Sequence, residues 1–338
     1  MNPGFIVRLR PAGPWRIGSS SGARNVADHI YHSDTLYSAV TSAIAQLDSL
    51  EEWIAATAAA EGEPAVRFSS CFPYQREMLF VPPPRSIWPP AGTGKVRWQG
   101  ARFIPAGLLS RLMGDQPLDE SRWIVDGATG CLLSADRGQP GPFRTSVRSS
   151  AAVDRLTGVT VPHSTACLEF SPDAGLWCAV AFANAEARER WGGVVKGAFR
   201  LLADSGFGGE RSRGWGRAES PSIAEGQLPG LIVNLPNGAE GEDRAWWLLS
   251  VFTPGATDRV DWTRGAYAIA PRGGRIESAA GWGAPKRVSR VVTEGSVLIA
   301  AGEPRGAAVD VAPEGFAHPV YRYGYALAVP IPLKGAAL

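Results

Sequence analysis

The chain has 338 residues, 45% hydrophobic and 20% charged, which is enough for two modest domains or one large one with a sizeable core. Its formal net charge of only +2 excludes a uniformly basic nucleic-acid binder, so any electrostatic footprint must come from uneven placement of Arg and Lys. The 40 glycines and 27 prolines favour many short strands and turns over a helical bundle. No apolar run has the length of a membrane span, and Met1 to Arg10 lack the layout of a signal peptide; a soluble, cytoplasmic protein with no membrane partner is expected. Cys71, Cys131, Cys167 and Cys178 have no CxxC spacing and read as reduced, mostly buried thiols, so neither a metal nor a cofactor is expected.

Phe5 to Leu9 predicts a first strand, with Phe5, Val7 and Leu9 on one face and Ile6 and Arg8 on the other. A Pro/Gly/Ser-rich loop, Pro11 to Arg24, follows; it carries Arg16 and Arg24 and no acid. The run His32-Ser33-Asp34-Thr35-Leu36-Tyr37-Ser38-Ala39-Val40 opens a helix, with Ser33 as N-cap and Asp34 on the positive end of the dipole. Leu36, Val40, Ala43, Ile44 and Leu47 make its apolar stripe. Ser49 and Glu52 have capping-box spacing and start a second helix. The proline runs at 82–84 and 89–90 predict loops and short strands across 62–145. Residues 143–164, with Arg144, Arg148, Asp154, Arg155 and His163, read as a protruding hairpin or loop.

Strands follow at Ala166 to Phe170 and Leu176 to Phe182, then a helix from Ala185 to Leu202, a glycine-rich segment at 206–217, and a strand from Arg217 to Ile223. This order matches the βαββαβ layout of a ferredoxin-like (RRM-like) α+β domain with large insertions, over residues 1–223. Residues 224–243 are rich in Gly, Pro and acids and read as a linker. Residues 244–338 are mostly strand, at Trp246 to Phe252, Tyr267 to Ala270, Arg287 to Val292, Val297 to Ala300 and Tyr323 to Pro330, and predict a second, degenerate ferredoxin-like unit.

The segment Gly206-Phe207-Gly208-Gly209-Glu210-Arg211-Ser212-Arg213-Gly214-Trp215-Gly216-Arg217 carries the strongest chemical signal. Its glycines, Gly208 and Gly209 among them, let the backbone approach a ligand. Arg211, Arg213 and Arg217 suit phosphate, and Trp215 can stack on a base or pack on the sheet. A solvated turn is the plain alternative. A dinucleotide loop or P-loop is excluded, because those run from strand into helix and this segment leaves a helix and enters a strand; there is also no GK[ST] triplet. Lys286, Arg287 and Arg290 form a basic cluster readable as a solvated strand edge or as RNA contact. Arg8, Arg10, Arg16 and Arg24 can line the RNA-facing side of an RRM-like sheet. His32 could act as a general acid or base, but no nucleophile or second base lies near it in sequence, so backbone or phosphate contact is the other reading for His29 and His32.

A helix followed by a G-rich loop and then a strand resembles the RAMP proteins of CRISPR systems. His32 to Ala39 resembles the opening of the first helix in one RAMP group, and Val153-Asp154-Arg155-Leu156-Thr157-Gly158 resembles the IDRxTG stretch of the same group. Gly295 to Leu298 after Lys286-Arg287, and the ending Tyr323 to Ile331, add to it; together they are similar to the fourth subunit of the type III-A (Csm) interference complex. The resemblance implies a non-catalytic subunit that holds the 5′ handle of the guide RNA, docks the large polymerase-like subunit, abuts a backbone RAMP subunit and meets target RNA only indirectly. It implies that Arg144 to Arg155 form a thumb-like hairpin against the guide–target duplex. The RNA-binding residues expected on these grounds are Arg16, His32, Ser33, Arg144, Arg148, Arg155, Gly208, Gly209, Arg211, Ser212, Arg213, Arg217, Lys286, Arg287 and Arg290. Residues 55–140 carry no resemblance. The competing expectations are a metal-independent endoribonuclease acting on guide precursor, and the equivalent subunit of another type III subtype.

Overall fold

The computed structural model describes residues 2–333, apart from 20–21, 61, 91–92, 95, 115, 117, 139, 235–243 and 279. Strand β1 (Asn2–Leu9) leads to helices α1 (Ser33–Ala45) and α2 (Leu50–Ala56). The next stretch holds β2 (Val66–Phe68), β3 (Phe72–Gln75), β4 (Met78–Val81), β5 (Ile104–Pro105), α3 (Ala106–Met113), β6 (Trp123–Val125) and β7 (Leu132–Ser134). A long hairpin of β8 (Phe143–Val153) and β9 (Thr160–Phe170) runs into β10 (Ala174–Phe182), α4 (Ala185–Ser205) and β11 (Ser222–Leu228). The C-terminal part is β12 (Arg244–Leu248), β13 (Val260–Ala266), β14 (Ile269–Arg272), β15 (Arg275–Ser278), β16 (Gly281–Pro285), β17 (Ser289–Val292), β18 (Val297–Ala300), β19 (Ala308–Asp310), β20 (Tyr321–Tyr323) and β21 (Ala328–Ile331).

The N-terminal sheet has the order β11-β1-β10-β3-β4-β5, with β2 also on β10, and β1 is antiparallel to both β10 and β11. Because β1 is central, both of its faces are apolar. Phe5, Val7 and Leu9 pack under α1 and α4, against Leu36, Val40, Val195 and Phe199. Helix α4 forms despite its glycines because Trp191, Val195, Ala198, Phe199 and Leu202 recur at helical spacing and are all buried. Its first turn is capped by Asn184, whose side chain accepts from the Ala187 amide at 2.8 Å.

The reverse face of the sheet is covered. Ile6, Trp177, Ala179 and Ala181 share one core with Trp247, Val297, Ile299 and Val329 of a second sheet, ordered β13-β18-β12-β21. This corrects the expectation for the basic residues near β1: the sheet face that an RRM-like domain would offer to RNA is here the seam between the two halves of the chain. Arg8 pairs with Glu77 at 2.9 Å rather than lining an open face.

Several predicted boundaries move. Leu47 is 45% exposed and lies beyond α1, and Ser49 precedes α2 without a side-chain capping bond. Helix α3 is a helix within the proline-rich region that predicted none; Ala106, Leu108, Leu109 and Met113 are enough to bury two turns. Strand β11 begins at Ser222 and takes up the start of the expected 224–243 linker, because pairing with β1 extends to Asn2↔Leu228. Residues 229–234 of that linker form a turn that buries Ile232 and Val233, and 235–243 lie outside the described residues. No α-helix follows α4 among the described residues, where strands β12–β21 make up the regular structure. All four cysteines are buried free thiols.

Candidate nucleic-acid interface

The glycine-rich segment does leave α4 and enter β11. Its ends are packed and its middle is exposed. Phe207 is buried with its ring 4.7 Å from Trp15 and 5.1 Å from Tyr31. Gly208 and Gly216 have φ of +89° and +80°, and a Cβ would sit 2.6 Å from the Arg16 carbonyl oxygen at the first and 2.1 Å from that of Phe207 at the second. The Gly209 amide donates to the Arg16 carbonyl at 2.9 Å. Gly208 and Gly209 therefore close the loop onto its own chain, which corrects their assignment to ligand contact. Between these anchors Arg211–Arg213 form a single 3-10 turn at the surface, with Arg211, Ser212 and Arg213 exposed. Arg217 is exposed one residue after Gly216.

Arg16 and Ser33 are corrected too. Arg16 is 8% exposed, and its guanidinium donates to the carbonyls of Arg24, Ala166 and Ala23 at 2.7, 3.0 and 3.1 Å, which fixes the loop beneath Gly209. Ser33 is fully buried; it is the first residue of α1 and its hydroxyl accepts from the Val251 amide at 3.1 Å. The whole His32-Ser33-Asp34-Thr35 run joins the two halves of the chain. Asp34 accepts from Arg272 at 2.8 Å and Arg322 at 3.2 Å, and Arg272 also reaches the Thr35 hydroxyl at 2.9 Å. Burial opposes ionisation of Asp34, but the two arginines outweigh it and hold its carboxyl down at about 2. His32 lies between Glu294 at 2.8 Å and Asp28 at 3.2 Å. Burial alone would lower its pKa; Glu294 and Asp28 override that and push it up to about 10. A doubly paired imidazolium has no lone pair for base catalysis and no free edge for RNA, so His32 is a joint and not a contact residue.

The β8–β9 hairpin is real and long, paired from Phe143↔Phe170 to Val153↔Thr160. Asp154 shapes its tip by accepting from the Leu156 and Thr157 amides at 2.8 and 3.0 Å, and Gly158 takes φ +71°. Arg155 stands exposed at that tip beside Leu156, which is 98% exposed. Lower down, Arg144 and Arg148 both pair with Glu169, at 2.8 and 2.7 Å, which drives the Glu169 carboxyl down to about 2. The middle of the hairpin is tied to the glycine-rich loop. Arg148 lies over the Trp215 ring at 5.8 Å, and Arg213 reaches Ser150 and His163 at 3.4 and 3.3 Å. Trp215, 8% exposed, is packed rather than presented to a base.

Beside this loop a groove of about 1340 Å³ runs between α1, α2 and the strands β14–β16. Arg211, Tyr31, Arg272, Ile276, Glu277 and Lys286 are among the residues that line it. Arg211 crosses the groove mouth to Glu277 at 2.5 Å. The 286–290 cluster is split: Lys286 lines the groove, Arg287 turns away to donate to the Asp310 carbonyl at 2.8 Å, and Arg290 is exposed on β17. Sequence reasoning missed Arg272, Glu277 and Arg322. Their ion-pair partners are 66 to 288 residues away, and no local spacing marks them.

Residues 241–331 match the family model described as the CRISPR Csm4 C-terminal domain. No curated protein matches the sequence. Among solved structures, a chain of the Csm3-Csm4 subcomplex in the type III-A CRISPR-Cas interference complex aligns with a TM-score of 0.64 at 16% identity, over 97% of this chain and 99% of that one. Chains of the Csm1-Csm4 cassette in complex with cA4 and with pppApA align with TM-scores of 0.59 and 0.57, at 18% and 17% identity, over 97% of this chain and 98% of each of those. The chain thus shares its fold, over nearly its whole length, with chains solved in CRISPR type III-A assemblies. The match of residues 241–331 to the Csm4 C-terminal domain and this likeness of fold agree with the resemblance of the His32–Ala39 and Val153–Gly158 stretches to the type III-A subunit.

Proposed function

We propose that this chain is a non-catalytic RNA-binding subunit of a type III-A interference complex. It holds the 5′ handle of the guide RNA against the glycine-rich loop and hairpin, docks the large polymerase-like subunit, and abuts a backbone subunit. The relatives of like fold were solved with Csm3 and with Csm1, which supports the two docking roles. The antiparallel order β11-β1-β10-β2, with α1 and α4 on one face, supports a ferredoxin-like N-terminal domain of the RAMP type.

The observation that carries the RNA reading is the exposed Arg211–Arg213 turn between a groove and a hairpin that itself presents Arg144 and Arg148. Phosphate contacts from arginine are salt-dependent because each releases counterions. Filter binding of handle RNA to the full chain should weaken about tenfold when Arg211 and Arg213 are both changed to Ala, and the log–log salt slope should fall by about 1.4, or roughly 0.7 for each of two single-strand phosphate contacts. Unaltered affinity in the double variant would remove the loop from the interface. The nuclease alternative finds no support at His32, whose two ring nitrogens are both paired to carboxylates. Incubating the chain with repeat RNA in EDTA should give no specific cleavage.

The Arg211–Glu277 pair adds a signed prediction. Both side chains are about half exposed, and an exposed ion pair contributes on the order of 0–1 kcal/mol, so a phosphate can displace Glu277 at little cost. Glu277→Gln should tighten RNA binding by about two- to threefold at low salt, by freeing Arg211 and removing a like charge from the groove mouth. A weaker-binding Glu277→Gln variant would mean that the bridge presents Arg211 rather than competes for it.

A further inference from the structure

The charges at the floor of the groove do not balance. His32, Arg272, Arg322 and Lys286 are four cations, and Asp28, Asp34 and Glu294 are three carboxylates within the same electrostatic neighbourhood. Each carboxylate is occupied: Asp28 and Glu294 by His32, and Asp34 by Arg272 and Arg322. Lys286 has no salt bridge or side-chain hydrogen bond among the described residues. Its alkyl chain lies 3.7 Å from the position a Cβ would take on Gly274, and its amide donates to the Gly274 carbonyl at 2.9 Å, so its backbone and stem are fixed along the groove wall. Arg322, which also lines the groove, keeps a buried Nε without an acceptor. The local surplus is one positive charge and unused donors.

An unneutralised ammonium in a partly desolvated groove is costly to the folded chain. Burial and the facing Arg322 both lower the Lys286 pKa, in line with that cost. A single phosphodiester carries the one negative charge that would offset the surplus. Resting on the RNA reading above, we infer that Lys286 is the anchor of a subsite for one backbone phosphodiester of the bound strand, inside the groove and separate from the Arg211–Arg213 turn at its mouth.

The test is the variant Lys286→Gln in the full chain, with Lys286→Arg beside it, against handle RNA bearing either a 5′-hydroxyl or a 5′-phosphate. Lys286→Gln should weaken both RNAs at least threefold and lower the salt slope by about 0.7, the value for one single-strand contact. Lys286→Arg should retain most of the affinity. The unfolding temperature of Lys286→Gln should equal or exceed that of the parent, since an unpaired, partly buried charge is removed. Unchanged binding in Lys286→Gln, with binding lost in the Arg211/Arg213 double variant, would overturn the subsite and leave the RNA reading standing; unchanged binding in both would overturn the two together. A loss confined to the 5′-phosphorylated RNA would overturn the diester assignment in favour of a terminal phosphate. A clear fall in unfolding temperature would make Lys286 a structural residue and overturn the subsite.

Discussion

Replacing Asp34 with Ala is expected to lower folding stability by about 3–5 kcal/mol, the cost of breaking a buried ion pair and stranding its partners. Asp34 is 6% exposed and accepts from two arginines that come from β14 and β20, 238 and 288 residues further along the chain. Without it, Arg272 and Arg322 face each other and Lys286 with no carboxylate of their own. The damage should be cooperative, because this triad sits where α1 meets the C-terminal half beside the Tyr37–Tyr323 stack at 4.0 Å. Urea unfolding followed by tryptophan fluorescence measures it directly. A loss under about 1 kcal/mol would show that the apolar seam alone holds the halves together.

The neighbouring His32 joint gives the second large effect, as a pH dependence. The folded pKa of His32 is raised to about 10 from an ordinary 6.5, so its stabilising contribution is complete below 6.5 and is lost as pH rises through about 10. Asp28 and Asp34 have folded pKa values lowered to about 2, so theirs is present above the ordinary carboxylate value of 3.8 and is lost as pH falls through about 2. Thermal unfolding should therefore be most favourable to the native state between roughly pH 4 and 6.5 as far as these groups are concerned, and should weaken steadily toward pH 10. In His32→Gln the alkaline slope should flatten, and the variant should be less stable at pH 6 by about 3 kcal/mol because Glu294 is left buried without its cationic partner, held by the Ser70 hydroxyl and a backbone amide. A parent slope that persists in His32→Gln would assign the alkaline loss to some other group.

Much of the N-terminal fold was legible in the residues. The periodicity of α1 and α4, the alternation in β1 and the direction of the glycine-rich segment all have local causes, and local causes leave a mark at short spacing. The motif His32-Ser33-Asp34-Thr35 was visible as well, but its meaning was not. From sequence it reads as a helix start with a histidine free to contact backbone or phosphate, while its partners Glu294, Arg272, Arg322 and Val251 all lie more than 200 residues away. The same limit hid the covered sheet face. Alternation in β1 shows that Ile6 points away from Phe5, but not that Trp247 and Val297 wait on that side. Gly208 and Gly209 misled for a related reason: a glycine marks close approach, and here what approaches is the Arg16 backbone rather than a phosphate.

The central claim is that single-stranded RNA lies along the glycine-rich turn and the groove beside it. Photo-crosslinking of the full chain to handle RNA with thiouridine placed at each position in turn, followed by mass spectrometry of the adducts, tests it most directly. The account predicts adducts within Phe207–Arg217, the hairpin around Arg148 and the groove strands from Arg272 to Lys286. Adducts concentrated instead on the opposite edge, around Arg188, Lys196 and Glu225, would contradict it.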